Sequence, residues 1–399
     1  MSGMSIVGGV VLARVERPAD RAALAALLAG TDGPVVAVGG ERWNGVTGPL
    51  DLAPGISPLG IDLSRLDRVI DFQPDDLTIT VESGVRVNAL TKLLAEKGLC
   101  VPLPTGGFEL AVGTVFAEAR RAAQAAMYDG PRRHLLGLAV MNGEGVECRA
   151  GGRVVKNVAG YDLMKLHTGA RDTLGLITEL TLKLNPIPEV RQTMEGTLPD
   201  VAAVDAMTRR LVHSDVRPSA WVVTSGDDIA FRLELDGFEE DVAAEAELAL
   251  AILTDLNGGV SARSTRNCRE AGPHLFESIS QPAPDSLEVI LPSYDIGPTP
   301  AGPIRFDPFL RHGSMGFDLD AEGALDAAEI RAWRGQLNAN GVGLQLRSSR
   351  GQEDGPSARV LDHDLMDGPP SSSLTLLRGI KRALDPQRRF SPGLHFWGV

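Results

Sequence analysis

The most constraining stretch of this chain runs from Gly175 to Pro186. Leu176, Thr178, Leu180, Leu182 and Leu184 share one parity, and Glu179, Thr181 and Lys183 fall on the other. Successive side chains of a strand point to opposite faces, so the run reads as a strand with one buried face. Proline cannot donate to a ladder, and the strand is expected to stop at Asn185-Pro186. The residues before it are punctuated by glycine. Gly160, Gly169 and Gly175 each lie between apolar segments. Glycine reaches positive φ and lets a backbone approach a ligand that a side chain would keep away.

A chain of 399 residues has room for two or three domains. Its net charge of −13 argues against nonspecific binding to nucleic acid or to anionic membranes. No apolar run approaches the about eighteen residues of a membrane helix. Met1 to Ile6 has no basic region ahead of an apolar core, so no signal peptide is visible and a cytoplasmic location is the default. Cys100, Cys148 and Cys268 are scattered, which suits neither a disulfide framework nor an iron–sulfur cluster. The histidines are dispersed without i, i+4 ligand spacing, and no metal site is expected.

Along the chain, Ala19 to Leu28 reads as a helix ended by Gly30. Val35 to Val38 is a buried strand that runs into Gly39-Gly40-Glu41-Arg42. Such a loop can present N–H groups to a phosphate, although Gly39-Gly40 alone would suit an ordinary turn equally well. Asp75 to Val81 is a strand, and Val87, Leu90, Leu93 and Leu94 mark a helix closed by Lys97-Gly98. Glu118 to Met127 reads as a charged, Ala-rich helix. Leu135 to Met141 and Val146 to Arg149 form a hairpin around Asn142 to Gly145. Leu163 to His167 is a short helix that Asp162 could cap, and His167 reads as a structural histidine.

After Pro186-Ile187-Pro188 the composition shifts. Helices at 200–213, 238–256 and 324–337 alternate with strands at 220–224, 229–235, 287–291 and 342–346. That suggests an α+β unit on an antiparallel sheet. Arg305, Asp307, Arg311 and His312 form its only dense polar cluster. Arginine suits a substrate carboxylate, but a solvated loop is the plainer reading. Residues 350–372 read as a loop, followed by a helix from Ser372 to Leu384.

The run Lys156-Asn157-Val158-Ala159-Gly160-Tyr161-Asp162-Leu163, then Gly169 to Leu184, resembles the second half of the FAD-binding domain of the vanillyl-alcohol oxidase (PCMH) type. It is most similar to the E subunits of bacterial glycolate oxidases. Asp385-Pro386 through Phe390-Ser391-Pro392-Gly393 is similar to that family's C-terminal D-P-x-x-x-F-N-P-G, with Ser391 in place of Asn. The resemblance is strongest over 60–98, 132–186 and 376–393. It implies an α+β fold: a two-subdomain FAD-binding domain at 1–187, a cap with an antiparallel sheet at 188–345, and a segment at 346–399 that returns to the first domain.

The resemblance also implies site residues. Gly39, Gly40 and Arg42 would form the pyrophosphate loop, with Glu41 out of place beside an anion. Gly113, Thr114 and Arg132 would wrap the flavin. Lys156, Asn157, Gly160, Tyr161 and Asp162 would lie beside it, and Ile177, with Thr178, would serve the adenine end. No histidine stands in the phosphate loop to carry a covalent flavin, so noncovalent FAD is expected. Thr114 replaces a glycine, Arg133 an acid, and the Ala-rich stretch a Gly/Ser-rich loop; these departures imply a tighter or closed flavin pocket. Glu288 stands where the family would place an arginine. No residue announces itself as a general base. The implied activity is that of an FAD-dependent oxidoreductase subunit acting on 2-hydroxy acids and passing electrons to a second flavoprotein and an iron–sulfur subunit. The alternative is a non-catalytic scaffold subunit with a degenerate flavin site.

Overall fold

The computed structural model describes residues 6–7, 10–39, 52, 55–104, 110–122, 124–152, 162–225, 229–268, 286–291, 304–307, 315–320, 343–344 and 371–392. Gly40, Glu41, Arg42, Lys156, Asn157, Gly160, Tyr161, Arg311, His312 and the expected helix at 324–337 lie outside them.

The chain opens with a small hairpin, β1 (Ile6–Val7) and β2 (Val10–Val11). Then β3 (Arg14–Glu16) leads to α1 (Arg21–Ala29), β4 (Val35–Val38) and β5 (Leu59–Asp62). These three strands form a parallel sheet with β5 in the middle. Helix α1 starts where the Asp20 carboxylate accepts the Ala23 N–H, and it buries Leu24 and Leu28 one turn apart.

There follow β6 (Val69–Gln73), β7 (Thr78–Glu82), α2 (Val87–Ala95), β8 (Leu99–Cys100), α3 (Val112–Ala117) and α4 (Ala125–Tyr128). A 3₁₀ turn at Pro131–His134 enters β9 (Leu135–Met141) and β10 (Glu147–Gly151). Then come α5 (Met164–His167), β11 (Leu176–Lys183) and β12 (Asn185–Pro186). Strand β11 is the centre of a five-stranded antiparallel sheet, order β10-β9-β11-β7-β6. Leu180 stands opposite Val81 on one side and Leu138 on the other. Its Leu180 and Leu182 pack with Ile79, Leu90, Leu94, Val115 and Phe116. The expectation of one polar face is corrected here: Glu179 is buried as well, held by Arg21 and Arg149. Asn185-Pro186 does not simply end the ladder but pairs with β8.

The expected Ala-rich helix at 118–127 is also corrected. Helix α3 ends at Ala117, before it, and of the expected residues only Ala125 to Met127 are helical, in α4. Ala119, at φ +51, closes α3 through its N–H to Phe116 O.

From Val190 onward a second, eight-stranded antiparallel sheet takes over. Its elements are β13 (Val190–Leu198), α6 (Val201–Val212), β14 (Ala220–Ser225), β15 (Ile229–Gly237), α7 (Glu239–Asp255) and β16 (Gly259–Asn267), then β17 (Ser286–Leu291), β18 (Ile304–Asp307), β19 (Met315–Asp320) and β20 (Gly343–Leu344). The order is β16-β13-β15-β14-β18-β19-β17-β20. The two helices cover Met194, Trp221, Phe231 and Leu233 with Val204, Met207, Leu211, Ala246, Ala249 and Leu253. Arg305 and Asp307 lie on strand β18 rather than on a loop, paired with β14 and β19. Glu288 lies on β17 opposite Asp318. Helix α8 (Ser371–Leu384) then brings the chain back to the first sheets, where Phe390 is buried beside Leu24, Val35 and Ile61.

Together these sheets and helices make an α+β fold. Among the described residues no helix is long and apolar enough to cross a membrane.

Candidate functional site: a row of backbone contacts beyond β4, β5 and β7

Ligand crevices form where parallel strands end and their connections diverge. Strand β4 leads into Gly39, whose φ of +77 is the left-handed conformation that glycine adopts without strain. A Cβ there would lie 2.5 Å from Asp62 Oδ1, at the end of the neighbouring β5. Asp62 accepts hydrogen bonds from Arg17 Nε at 2.8 Å and the Ser64 N–H at 2.9 Å. Burial acts to raise its carboxyl, but these donors outweigh burial and hold it below the ordinary aspartate value. Asp62 is thus an anion at the mouth of the predicted phosphate loop.

The row continues through the turn after β5. Leu66 O accepts the Gly84 N–H at 2.7 Å, and Ser83 O accepts the Gly113 N–H at 2.7 Å. A Cβ on Gly113 would come within 2.6 Å of Ser83 Cβ, so only glycine allows α3 to start this close to the β7 turn. Beside this contact two hydroxyls are fully buried, Ser83 at 3% exposure and Thr114 at 1%. Among the described residues neither Ser83 Oγ nor Thr114 Oγ1 has a hydrogen-bond partner. A buried hydroxyl without a partner costs free energy. Two such orphans beside a glycine-only approach are what a polar cofactor would satisfy, and the residues present fit one.

Of the sequence-predicted residues, Gly113 and Thr114 therefore lie together, and Gly39 stands at the other end of the row. Arg132 and Asp162, thirty positions apart, form an ion pair with each other. Arg132 also donates to Leu135 O at 3.1 Å, and Lys165 Nζ lies 3.7 Å from Asp162 Oδ2. The expectation that Asp162 caps α5 is corrected: its side chain takes Arg132 instead, and α5 has no side-chain cap. Arg133 points to solvent and pairs with Asp129. The stretch after Asp162 lies along α3, with Gly169 N–H donating to Phe116 O at 3.0 Å and Arg171 N–H to Ala117 O at 2.7 Å. Ile177 donates its N–H to Asp172 Oδ1 at 3.3 Å. Thr178 O accepts the Ser83 N–H, and Thr178 Oγ1 donates to Ala139 O. His167 is buried, and that burial pushes its imidazole down to about 4, so it is neutral at pH 7.

Residues 118–128, expected to narrow a flavin pocket, also make a joint to the second sheet. Gln124 Nε2 donates to Glu234 Oε2 at 2.8 Å, and the Tyr128 hydroxyl reaches Asp236 Oδ2 at 3.4 Å. Arg191 holds both acids, with two 2.6 Å bonds to Asp236 and 3.3 Å to Glu234. Cys100 and Cys268 pack at the same joint, and burial pushes both thiols up to about 12. They stay protonated and are not nucleophiles.

Ser83, Asp62 and Arg17 were not singled out from the sequence. The one local signal was the Ser83-Gly84 turn after an alternating strand.

Residues 9–151 match the family described as FAD binding domain. Glycolate oxidase subunit GlcE of Escherichia coli is 28% identical over 182 residues, 45% of this chain and 51% of that protein. Glycolate oxidase subunit GlcD of Bacillus subtilis is 28% identical over 156 residues, 39% of this chain and 33% of that protein. D-2-hydroxyglutarate dehydrogenase of Xanthomonas citri pv. viticola is 24% identical across 91% of this chain and 84% of its own length. The chain thus spans about a third of the GlcD relative and half of the GlcE relative. A solved structure of alkyldihydroxyacetonephosphate synthase superposes with a TM-score of 0.67 at 13% identity, covering 95% of this chain and 76% of that one, which establishes the shared fold. FAD is the group that the matched domain takes.

Proposed function

We propose that this chain is a flavoprotein subunit of the glycolate oxidase E type, which binds FAD noncovalently and serves in the oxidation of a 2-hydroxy acid, with electrons leaving through a second flavoprotein and an iron–sulfur partner. The observation that carries this reading is the pair of buried, unpartnered hydroxyls, Ser83 and Thr114, inside the stretch that matches an FAD binding domain. The relatives named for glycolate and D-2-hydroxyglutarate supply the substrate class.

Bound FAD would supply hydride acceptance, a chemistry that no side chain offers. The chain's own groups would do the rest. Ser83 and Thr114 would each donate a hydrogen bond, and Gly113 would admit the ligand against backbone. Gly39 would open the phosphate loop, together with Gly40 and Arg42. Arg132, fixed by Asp162 and Leu135 O, would hold a positive charge at a set place. Lys156, Asn157, Gly160 and Tyr161 would complete the wall. Arg191 and Arg232 are committed to Asp236 and Glu234, so neither is offered for a substrate carboxylate.

A second reading has its own observation. The region that departs from the family forms the Gln124–Glu234 joint, which suits a scaffold subunit that holds its second domain rigidly. One experiment separates the two. The FAD-loaded chain, with its partner subunits, is mixed anaerobically with glycolate, D-lactate or D-2-hydroxyglutarate. Bleaching of the flavin band of this chain supports the catalytic reading. A flavin that stays oxidised while the complex turns over assigns it the scaffold role.

A further inference from the structure

The segment after α8 makes contacts that packing alone does not require. Asp385 closes a tight turn by accepting the Arg389 N–H at 3.0 Å and the Phe390 N–H at 2.9 Å. Val35 N–H then donates to Arg389 O, and Ser391 N–H to Val35 O, both at 2.8 Å, so the turn lies along the first residue of β4. The Arg389 guanidinium spends its donors on three main-chain carbonyls from three places: Leu28 O at the end of α1, Gly33 O just before β4, and Gly143 O in the β9–β10 hairpin. The Lys381 ammonium, also buried, donates to Thr173 O at 2.6 Å, Phe390 O at 3.0 Å and Asp385 Oδ2 at 2.7 Å.

These anchors converge on two segments. Strand β4 runs straight into Gly39, the first residue of the expected phosphate loop. Thr173 lies in the turn between the α3-lining stretch and β11, next to Asp172, which holds the Ile177 N–H. A guanidinium is a planar fork whose separate nitrogens can hold spread-out carbonyls at fixed angles, whereas a lysine in its place would gather its donors on a single nitrogen.

We propose that Lys381 and Arg389 are positioning residues of the cofactor site: a clasp from the far end of the described chain that fixes β4, which ends beside Gly39, and the Thr173–Ile177 turn. This rests on the FAD reading above. It assigns to a segment some 200 to 360 positions away in sequence a part in cofactor affinity as well as in folding.

The test uses the full chain stripped of flavin. FAD affinity is read by titration of flavin fluorescence and visible circular dichroism, and stability of the flavin-free protein by thermal melting. The variants are Arg389→Lys and Lys381→Met. Trp221→Phe is the control; it loses the indole bond to Thr208 Oγ1 in the second sheet's core, away from both loops. The clasp predicts that Arg389→Lys and Lys381→Met weaken FAD binding by about tenfold, and alter the flavin dichroism, at a melting loss where the control stays within about twofold of the parent. Variants that lose melting temperature while keeping the parent's FAD affinity overturn the proposal. So does failure of both to fold, which makes the segment a folding element only. A parent chain that binds no FAD sinks the flavin reading itself, and is told apart because it fails before any substitution is made.

Discussion

Replacing Thr114 by valine and Ser83 by alanine should move stability and cofactor affinity in opposite directions. Each hydroxyl is buried to within 3% of full burial and has no hydrogen-bond partner among the described residues. An unsatisfied buried hydroxyl carries a desolvation penalty of about 1–3 kcal/mol, which the apolar replacement removes. Some of this is returned in altered packing, since Ser83 Cβ already sits against Gly113. The flavin-free double variant should therefore be more stable than the parent by about 1–2 kcal/mol. With FAD present the same hydroxyls would become donors. Losing each should cost about 0.5–1.5 kcal/mol of binding, so the double variant should bind FAD about five- to a hundredfold more weakly. Urea unfolding without FAD and equilibrium titration with FAD read the two numbers. Destabilisation of the flavin-free form, or unchanged FAD affinity, would refute the assignment of these hydroxyls to the cofactor.

Three further outcomes follow from the geometry. Gly113→Ala forces its methyl to within 2.6 Å of Ser83 Cβ and 2.9 Å of Ser83 O, and should cost about 1–3 kcal/mol in urea unfolding, with loss of FAD retention on gel filtration. Arg191→Met leaves Asp236 and Glu234 buried with their main partner gone; it should destabilise by about 3–5 kcal/mol, most of which Arg191→Met combined with Asp236→Leu restores. His167 has its folded value pushed down to about 4 by burial, against 6.5 when unfolded. A depressed folded value means stability that is present above the unfolded value and is lost as pH falls through 6.5 toward 4. At pH 5 the loss from this group is about 2 kcal/mol. The parent should lose that much more than His167→Leu between pH 7 and pH 5, and equal losses would show that His167 is not buried neutral.

Much of the fold was legible because its signals are local. The 176–184 alternation and the Asn142–Gly145 turn each act within a few residues, and β11 and the β9–β10 hairpin appear where those signals stand. Residues 118–127 misled because alanine's helix propensity is a weak term. Ala119 takes a left-handed turn to end α3, Arg120 is drawn to Glu118, and Ala122, Ala125 and Ala126 are buried near the joint with the second sheet. Asp162 read as a cap since nothing local announced Arg132 as its partner. The site was legible in part. Gly113 and Thr114 could be named from their resemblance to a known pattern, but the orphaned state of Ser83 and Thr114 is a property of packing. Lys381 and Arg389 carried no local signal at all, because their acceptors, Thr173 O and Leu28 O, lie hundreds of positions away.

The central claim is that this chain holds FAD without a covalent bond. The visible absorption spectrum of the purified chain, taken before and after acid precipitation, tests it most directly. The account predicts a flavin band in the native protein that passes wholly into the acid supernatant. A chain that shows no such band even after incubation with excess FAD and candidate partner subunits would contradict the account, and a band that stays with the precipitate would contradict its noncovalent part.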